Sequence, residues 1–167
     1  MEHPKIINIL VLCTGNSARS VMAEALFNVL GRGRFRAFSA GSRPSGRVQP
    51  MAAELAEKLG YDISRLRSKS WDEFSGPGAP ELDLVVTVCD NAAGETCPVW
   101  YGAPMLAHWG VEDPAAVEGD EETRRRAYMK AFSELRRRVE LFVALPLDKL
   151  DRLVAEQRIR EIGKIDG

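Results

Sequence analysis

Cys13-Thr14-Gly15-Asn16-Ser17-Ala18-Arg19-Ser20 joins two segments of opposite character. Before it, Ile6 to Leu12 is an aliphatic, β-branched run that predicts a buried strand. After it, from Arg19 to Leu30, the residues Met22, Ala25, Leu26, Val29 and Leu30 recur at helical spacing, and Gly31 and Gly33 punctuate the end. The octapeptide is therefore a strand-to-helix turn that carries a cysteine and an arginine separated by five residues, C-x5-R. Looped in this way, backbone N–H groups of the turn and of the first helical residues converge on one point, and the helix dipole adds positive potential there. A tetrahedral oxyanion fits such a cradle, with Thr14, Gly15, Asn16, Ser17, Ala18, Arg19 and Ser20 around it. Arg19 can fork onto two oxygens, which a lysine point charge does less well. The same field, with hydroxyl donors from Ser17 or Ser20, is expected to hold the Cys13 thiol well below its free value of about 8.5. The plainer reading, a small buried cysteine followed by a surface arginine, leaves the turn-forming Gly15 and Asn16 and the prompt helix start without a purpose.

Outward from this segment the chain keeps alternating. Phe35 to Ala40 predicts a second strand closed by Gly41, and Val48 to Leu59 a second amphipathic helix stopped by Gly60. Leu66 to Phe74 is polar and mixed, a short strand or a turn of helix, and Gly76-Pro77-Gly78-Ala79-Pro80 is loop. Leu84 to Val88 is the most strand-like stretch and ends at Cys89. Residues 90 to 103 read as a long surface loop carrying Cys97, Met105 to Trp109 as a fourth strand, and Glu112-Asp113-Pro114 as loop. Glu121 to Leu145 predicts a long helix with Ala127, Tyr128, Ala131, Phe132, Leu135, Val139 and Phe142 on one face. The runs Arg124–Arg126 and Arg136–Arg138 are then solvated helix surface. His108 and Trp109 read as strand-end packing. The alternation predicts an α/β fold in three layers, a four-stranded parallel sheet with helices on both faces. Ligands of such sheets sit beyond the strand carboxyl ends, where Cys13, Cys89 and Asp113 fall.

Lys and Arg number 23 against 24 Asp and Glu, so no net field would hold this 167-residue chain on nucleic acid or an anionic membrane. No stretch approaches the roughly 18 apolar residues of a spanning helix, and the first residues do not have the form of a secretory signal. The three cysteines, Cys13, Cys89 and Cys97, are an odd number and make no disulfide framework, so a reducing, cytoplasmic setting is expected. Taken singly, Cys89 reads as a buried core thiol and Cys97 as a loop cysteine. A thiolate metal site is the other option, but the pair lacks C-x2-C spacing and histidine partners. Asp113, fixed by Pro114, is a loop carboxylate or an acid catalyst.

The sequence resembles the arsenate reductases built on the low-molecular-weight tyrosine phosphatase fold. The matching residues are Cys13 to Ser20 with Met22-Ala23-Glu24, Ser39-Ala40-Gly41-Ser42, Ser70-Trp71-Asp72, Val86-Thr87-Val88-Cys89-Asp90, Cys97-Pro98 and Asp113-Pro114, over about residues 5 to 145. The resemblance implies Cys13 as nucleophile, Arg19 as oxyanion ligand, Asp113 as general acid, and Cys89 and Cys97 as a relay that carries the oxidation away as a disulfide. It implies arsenate as substrate, phosphate or sulfate as competing oxyanions, and thioredoxin as reductant, or glutaredoxin with a low-molecular-weight thiol. No tightly bound cofactor is expected. The thioredoxin-coupled members bind potassium, and the matching positions are Asn16, Glu24, Ser39 and Asp72. The domain is expected to span 1–146, with 147–167 a helical extension on the same domain or on a partner subunit. Two competing readings use the same residues: a tyrosine phosphatase, although Ala115 and Ala116 stand where that family favours aromatics, and a non-enzymatic thiol-based metalloid or redox sensor.

Overall fold

The computed structural model describes residues 5–94, 98 and 100–165. Four parallel strands, β1 (Ile7–Leu12), β2 (Phe35–Ala40), β3 (Leu84–Thr87) and β4 (Met105–His108), lie in the order β2-β1-β3-β4. The register pairs Leu12 with Ala40 and with Thr87, and Thr87 with His108, so all four strands end at one rim. The helices are α1 (Arg19–Leu30), α2 (Pro50–Leu59), α3 (Asp90–Gly94), α4 (Glu121–Val143) and α5 (Arg152–Ile162). Helix α1 and strand β2 have the bounds that the sequence pattern predicts. Helix α2 begins two residues late because Pro50 takes its first position, where a missing N–H costs nothing. It stops at Gly60, whose φ of 103° suits a residue without a Cβ. Asp120 and Asp151 start α4 and α5 by accepting from Thr123 N–H at 2.8 Å and Val154 N–H at 3.0 Å.

Successive strand residues face opposite layers. Ile9, Val11, Leu84 and Val86 look into the larger core, beneath Met22, Leu26 and Phe27 of α1, Leu135, Val139 and Phe142 of α4, and Ile159 and Ile162 of α5. Leu10, Leu12 and Val85 look the other way, where the second covering layer is thin: a 3-10 turn at Trp71–Phe74 with Trp100 against it. Helix α2 packs on α1 through Ala25, Ala56 and Tyr61. Among the described residues no helix is long and apolar enough to cross a membrane.

Three expectations are corrected. The stretch expected as surface loop from residue 90 begins with α3, and Trp100 in it is buried, edge-on to Trp71 at 6.2 Å between ring centres. Arg138 is not solvated: it is buried and donates to Gly110 O at 2.9 Å and Ile165 O at 3.3 Å, tying the end of α5 to the segment after β4. His108 ends β4 as expected but is exposed where packing was expected; its ring bridges Thr87 Oγ1 at 2.7 Å and Asp90 Oδ1 at 2.9 Å. Trp109 is fully buried and donates Nε1–H to Ile159 O at 2.9 Å, so α5 closes the same core. Cys97 lies outside the described residues.

Candidate active site

The loop after β1 is held open by turning its carbonyls outward. Thr14 O accepts from Arg43 N–H and Gly15 O from Ser45 N–H, both at 3.0 Å, while Ser17 O accepts from Gln49 N–H at 2.9 Å. Ser68 Oγ donates a further bond to Gly15 O at 3.1 Å. Asn16 takes the left-handed conformation, φ 45°, that asparagine tolerates better than most residues. Its buried side chain is fixed at both ends: Nδ2 donates to Ser20 Oγ at 2.8 Å and Oδ1 accepts from Lys69 N–H at 2.9 Å. Gly41 presses on the loop from β2, where a Cβ would stand 2.4 Å from Thr14 O and 2.6 Å from Cys13 O. At the start of α1, Ala18 offers no capping side chain, so the first-turn N–H groups are left to an anion.

Arg19 is clamped by the loop that carries the expected acid. Its Nη1 donates to Val111 O at 3.0 Å and its Nη2 lies 3.6 Å from Asp113 Oδ2. Nε is buried with no hydrogen-bond partner among the described residues. An unsatisfied buried donor costs about 1–3 kcal/mol, and an oxyanion oxygen would relieve it. Asp113 is oriented on its other side by Ala115 N–H, 3.0 Å from Oδ1. Arg19, Cys89, Asp90, Gly110, Val111, Glu112 and Asp113 line a cleft of about 470 Å³ at the strand rim. Tyr128 of α4 is buried; burial and then the Asp113 charge push its phenol above the ordinary value.

The two described cysteines meet. Cys13 and Cys89 are both buried free thiols, and the contact between them is the largest influence on each. Cys89 Sγ also accepts from Thr14 N–H at 3.3 Å and Ala92 N–H at 3.4 Å, with Thr14 Oγ1 at 3.6 Å. The Cys13 hydrogen bond, aided by these donors, lowers Cys89 to about 5 against the burial that opposes it. Cys13 is driven upward, first by that hydrogen bond and then by burial, with Arg19 pulling the other way. The direction for Cys13 is opposite to the one expected from the loop and Arg19 alone, because its contact with Cys89 and its burial outweigh the pull of Arg19.

The residues expected around potassium are only partly assembled. Ser39 Oγ donates to Glu24 Oε1 at 2.7 Å, and Asn16 Oδ1 is engaged by the Lys69 amide. Asp72 is exposed, its backbone N–H bonded to Ser70 Oγ at 3.1 Å. The Lys69 ammonium, which the sequence reading did not single out, stands 3.8 Å from Glu24 Oε1 with its side chain 7% exposed. Burial pulls that ammonium below its ordinary value and Glu24 opposes the pull. A donor set that already holds a cation does not fit an alkali ion. Lys69, Gly41 and Glu112 were thus missed as site residues. Only Gly41, which follows a predicted strand directly, carried a signal of close backbone approach.

A cysteine-arginine loop between a parallel strand and its helix, with an aspartate over the arginine, defines a class. The chain matches the low molecular weight phosphotyrosine protein phosphatase family over residues 8–156 and belongs to it. Within that class it is similar to an arsenate reductase of Halalkalibacterium halodurans, 35% identical over 134 residues, 80% of this chain and 93% of the relative. Among solved structures it is similar to an arsenate reductase in the phosphate binding state, at TM-score 0.63 and 28% identity, covering 83% of this chain and 98% of that one. A low molecular weight protein tyrosine phosphatase from T. tengcongensis also matches, at TM-score 0.60 and 26% identity over 80% of this chain and 95% of that one.

Proposed function

We propose that this protein reduces arsenate to arsenite with electrons from its own cysteines. One observation carries the reading: a second buried thiol, Cys89, stands at the oxyanion loop, its sulfur accepting from Thr14 N–H, next in the chain to Cys13, at 3.3 Å. Hydrolysis of a phosphate ester has no use for a second thiolate there, whereas a relay needs it in that place. The arsenate reductase names among its relatives support the choice of oxyanion.

Arsenate enters the loop with its oxygens on the N–H groups and on Arg19. The Cys13 sulfur bonds to arsenic, an arsenic–oxygen bond breaks, and the Cys13 proton, passed through Asp113, leaves with the departing hydroxyl as water. The Cys89 thiolate then attacks Cys13 Sγ. A sulfur–sulfur bond forms, the sulfur–arsenic bond breaks, and its electron pair stays on arsenic, which departs as arsenite. Cys97 attacks Cys89 Sγ, and Cys13 leaves as a thiolate and recovers a proton. The remaining Cys89–Cys97 disulfide is reduced by a dithiol protein, for which thioredoxin is the proposed donor and glutaredoxin with a low-molecular-weight thiol the alternative. A reducing cytoplasm is the compartment in which such a cycle restarts.

The test is NADPH consumption and arsenite release with thioredoxin and thioredoxin reductase, beside hydrolysis of an aryl phosphate. Arsenite turnover should collapse in Cys89→Ser and in Cys97→Ser while any slow ester hydrolysis persists. Fast ester hydrolysis with no arsenite formed would decide for a phosphatase, and stoichiometric metalloid binding without turnover for a sensor.

A further inference from the structure

Glu24 is a carboxylate on the core side of α1, only 4% exposed. Neutral donors satisfy its oxygens: Ser39 Oγ at 2.7 Å on Oε1 and Tyr61 OH at 2.6 Å on Oε2. Hydrogen bonds of this kind spread the charge and do not cancel it, and a buried charge without a counter-charge is costly. The counter-charge here is Lys69, whose ammonium stands 3.8 Å from Oε1 and is steadied by Arg67 O at 3.2 Å. The cleft of about 310 Å³ that opens onto Glu24 is also lined by Arg36, Arg65 and Arg67. Glu73, the other carboxylate along it, is taken up by Arg67. A free cation approaching Glu24 therefore meets like charge, and Asp72, which would complete its ligands, is exposed.

The backbone of the same lysine reaches the catalytic loop. Lys69 N–H holds Asn16 Oδ1 at 2.9 Å, and Lys69 O accepts from Gly41 N–H at 2.9 Å. Asn16 in turn holds Ser20 in the first turn of α1. We propose that Lys69 is a built-in cation: it stands where the resemblance assigns potassium, neutralises Glu24, and presets the oxyanion loop without an alkali ion. Lys69 is thus a positioning residue, acting on the loop through Asn16 and Gly41 and touching no reacting atom. The inference is independent of which oxyanion the loop processes, since its readouts are thermal and calorimetric.

The experiment compares melting of the intact chain in chlorides of potassium, sodium and choline at equal ionic strength, with calorimetric titration of potassium alone. The native chain should melt at the same temperature in all three and give no potassium-specific heat. Lys69→Met should melt lower, and potassium but not choline should raise it by about 5–10 °C at roughly 100 times the dissociation constant. The double variant Glu24→Gln with Lys69→Met removes both charges and should melt above Lys69→Met in choline, because no carboxylate is left uncompensated. That comparison decides the matter even where the single variant folds poorly. A potassium-specific rise in the native chain would overturn the proposal. So would a double variant no more stable than Lys69→Met, or a Lys69→Met chain that ignores potassium.

Discussion

Titration of the resting thiols should show a single thiolate appearing far below the ordinary thiol range. Cys89 is lowered from 9.0 to about 5 and Cys13 is raised, so between pH 5 and 9 the folded pair carries one proton and the unfolded pair two. The state that binds more protons is favoured by acid, so stability should climb with pH across this window, with a limiting slope of about 1.4 kcal/mol per pH unit. Below the lower value both states are fully protonated and the contribution is gone. Above 9.0 the unfolded chain has lost both protons while Cys13 keeps its own, and stability falls again. The lowered carboxylates Glu54, Asp62, Glu73 and Asp120 act below 4.5 and leave the window clear. The assay is thiolate absorbance in Cys97→Ser, beside urea unfolding over the same pH series. One thiolate should appear with its midpoint near the value given for Cys89. In Cys13→Ala, which removes the largest cause of the shift, the midpoint should rise by at least about one unit. A first thiolate appearing only above about pH 8, or stability that stays flat through the window, would refute the shared-proton site.

Gly41→Ala sets a methyl against the carbonyls of Cys13 and Thr14, where backbone cannot yield. A loss of about 1–3 kcal/mol in urea unfolding and weaker protection of the thiols by phosphate are expected. A variant with native stability and native phosphate affinity would show that the loop does not depend on that contact. Asp113→Asn keeps the Ala115 bond yet cannot pass a proton, so kcat should fall by about 10²–10⁴ with a smaller change in KM; an unchanged kcat would remove Asp113 from the reaction. Ile159→Ala empties a fully buried position beside Trp109 and should cost about 2–5 kcal/mol in equilibrium unfolding. A change under about 0.5 kcal/mol would mean that α5 is a loosely attached appendage.

The strand, loop and helix at residues 7–30 were legible because periodicity changes abruptly across a turn, and the C-x5-R spacing named the oxyanion site. What escaped depends on contacts between distant segments. Thr14 and Cys89 lie 75 positions apart, and nothing in either neighbourhood says that the Thr14 N–H and the Cys89 sulfur meet beside Cys13. Helix α3 was missed because a five-residue element ending in glycine has no periodicity to read. Arg138 looks like its exposed neighbours Arg136 and Arg137 in the sequence; only the carbonyls of Gly110 and Ile165, brought together by the fold, make it internal. Lys69 sits in a polar stretch without pattern, so its pairing with Glu24 could not be seen from composition.

If the two electrons come from the chain itself, a single turnover completes without any external reductant. Fully reduced protein, mixed with excess arsenate and quenched in acid, should yield one arsenite per chain, and peptide mapping should find one Cys89–Cys97 disulfide. In Cys97→Ser the trapped bond should be Cys13–Cys89. No arsenite, arsenite without an intramolecular disulfide, or a Cys13–Cys97 bond in place of these would contradict the relay.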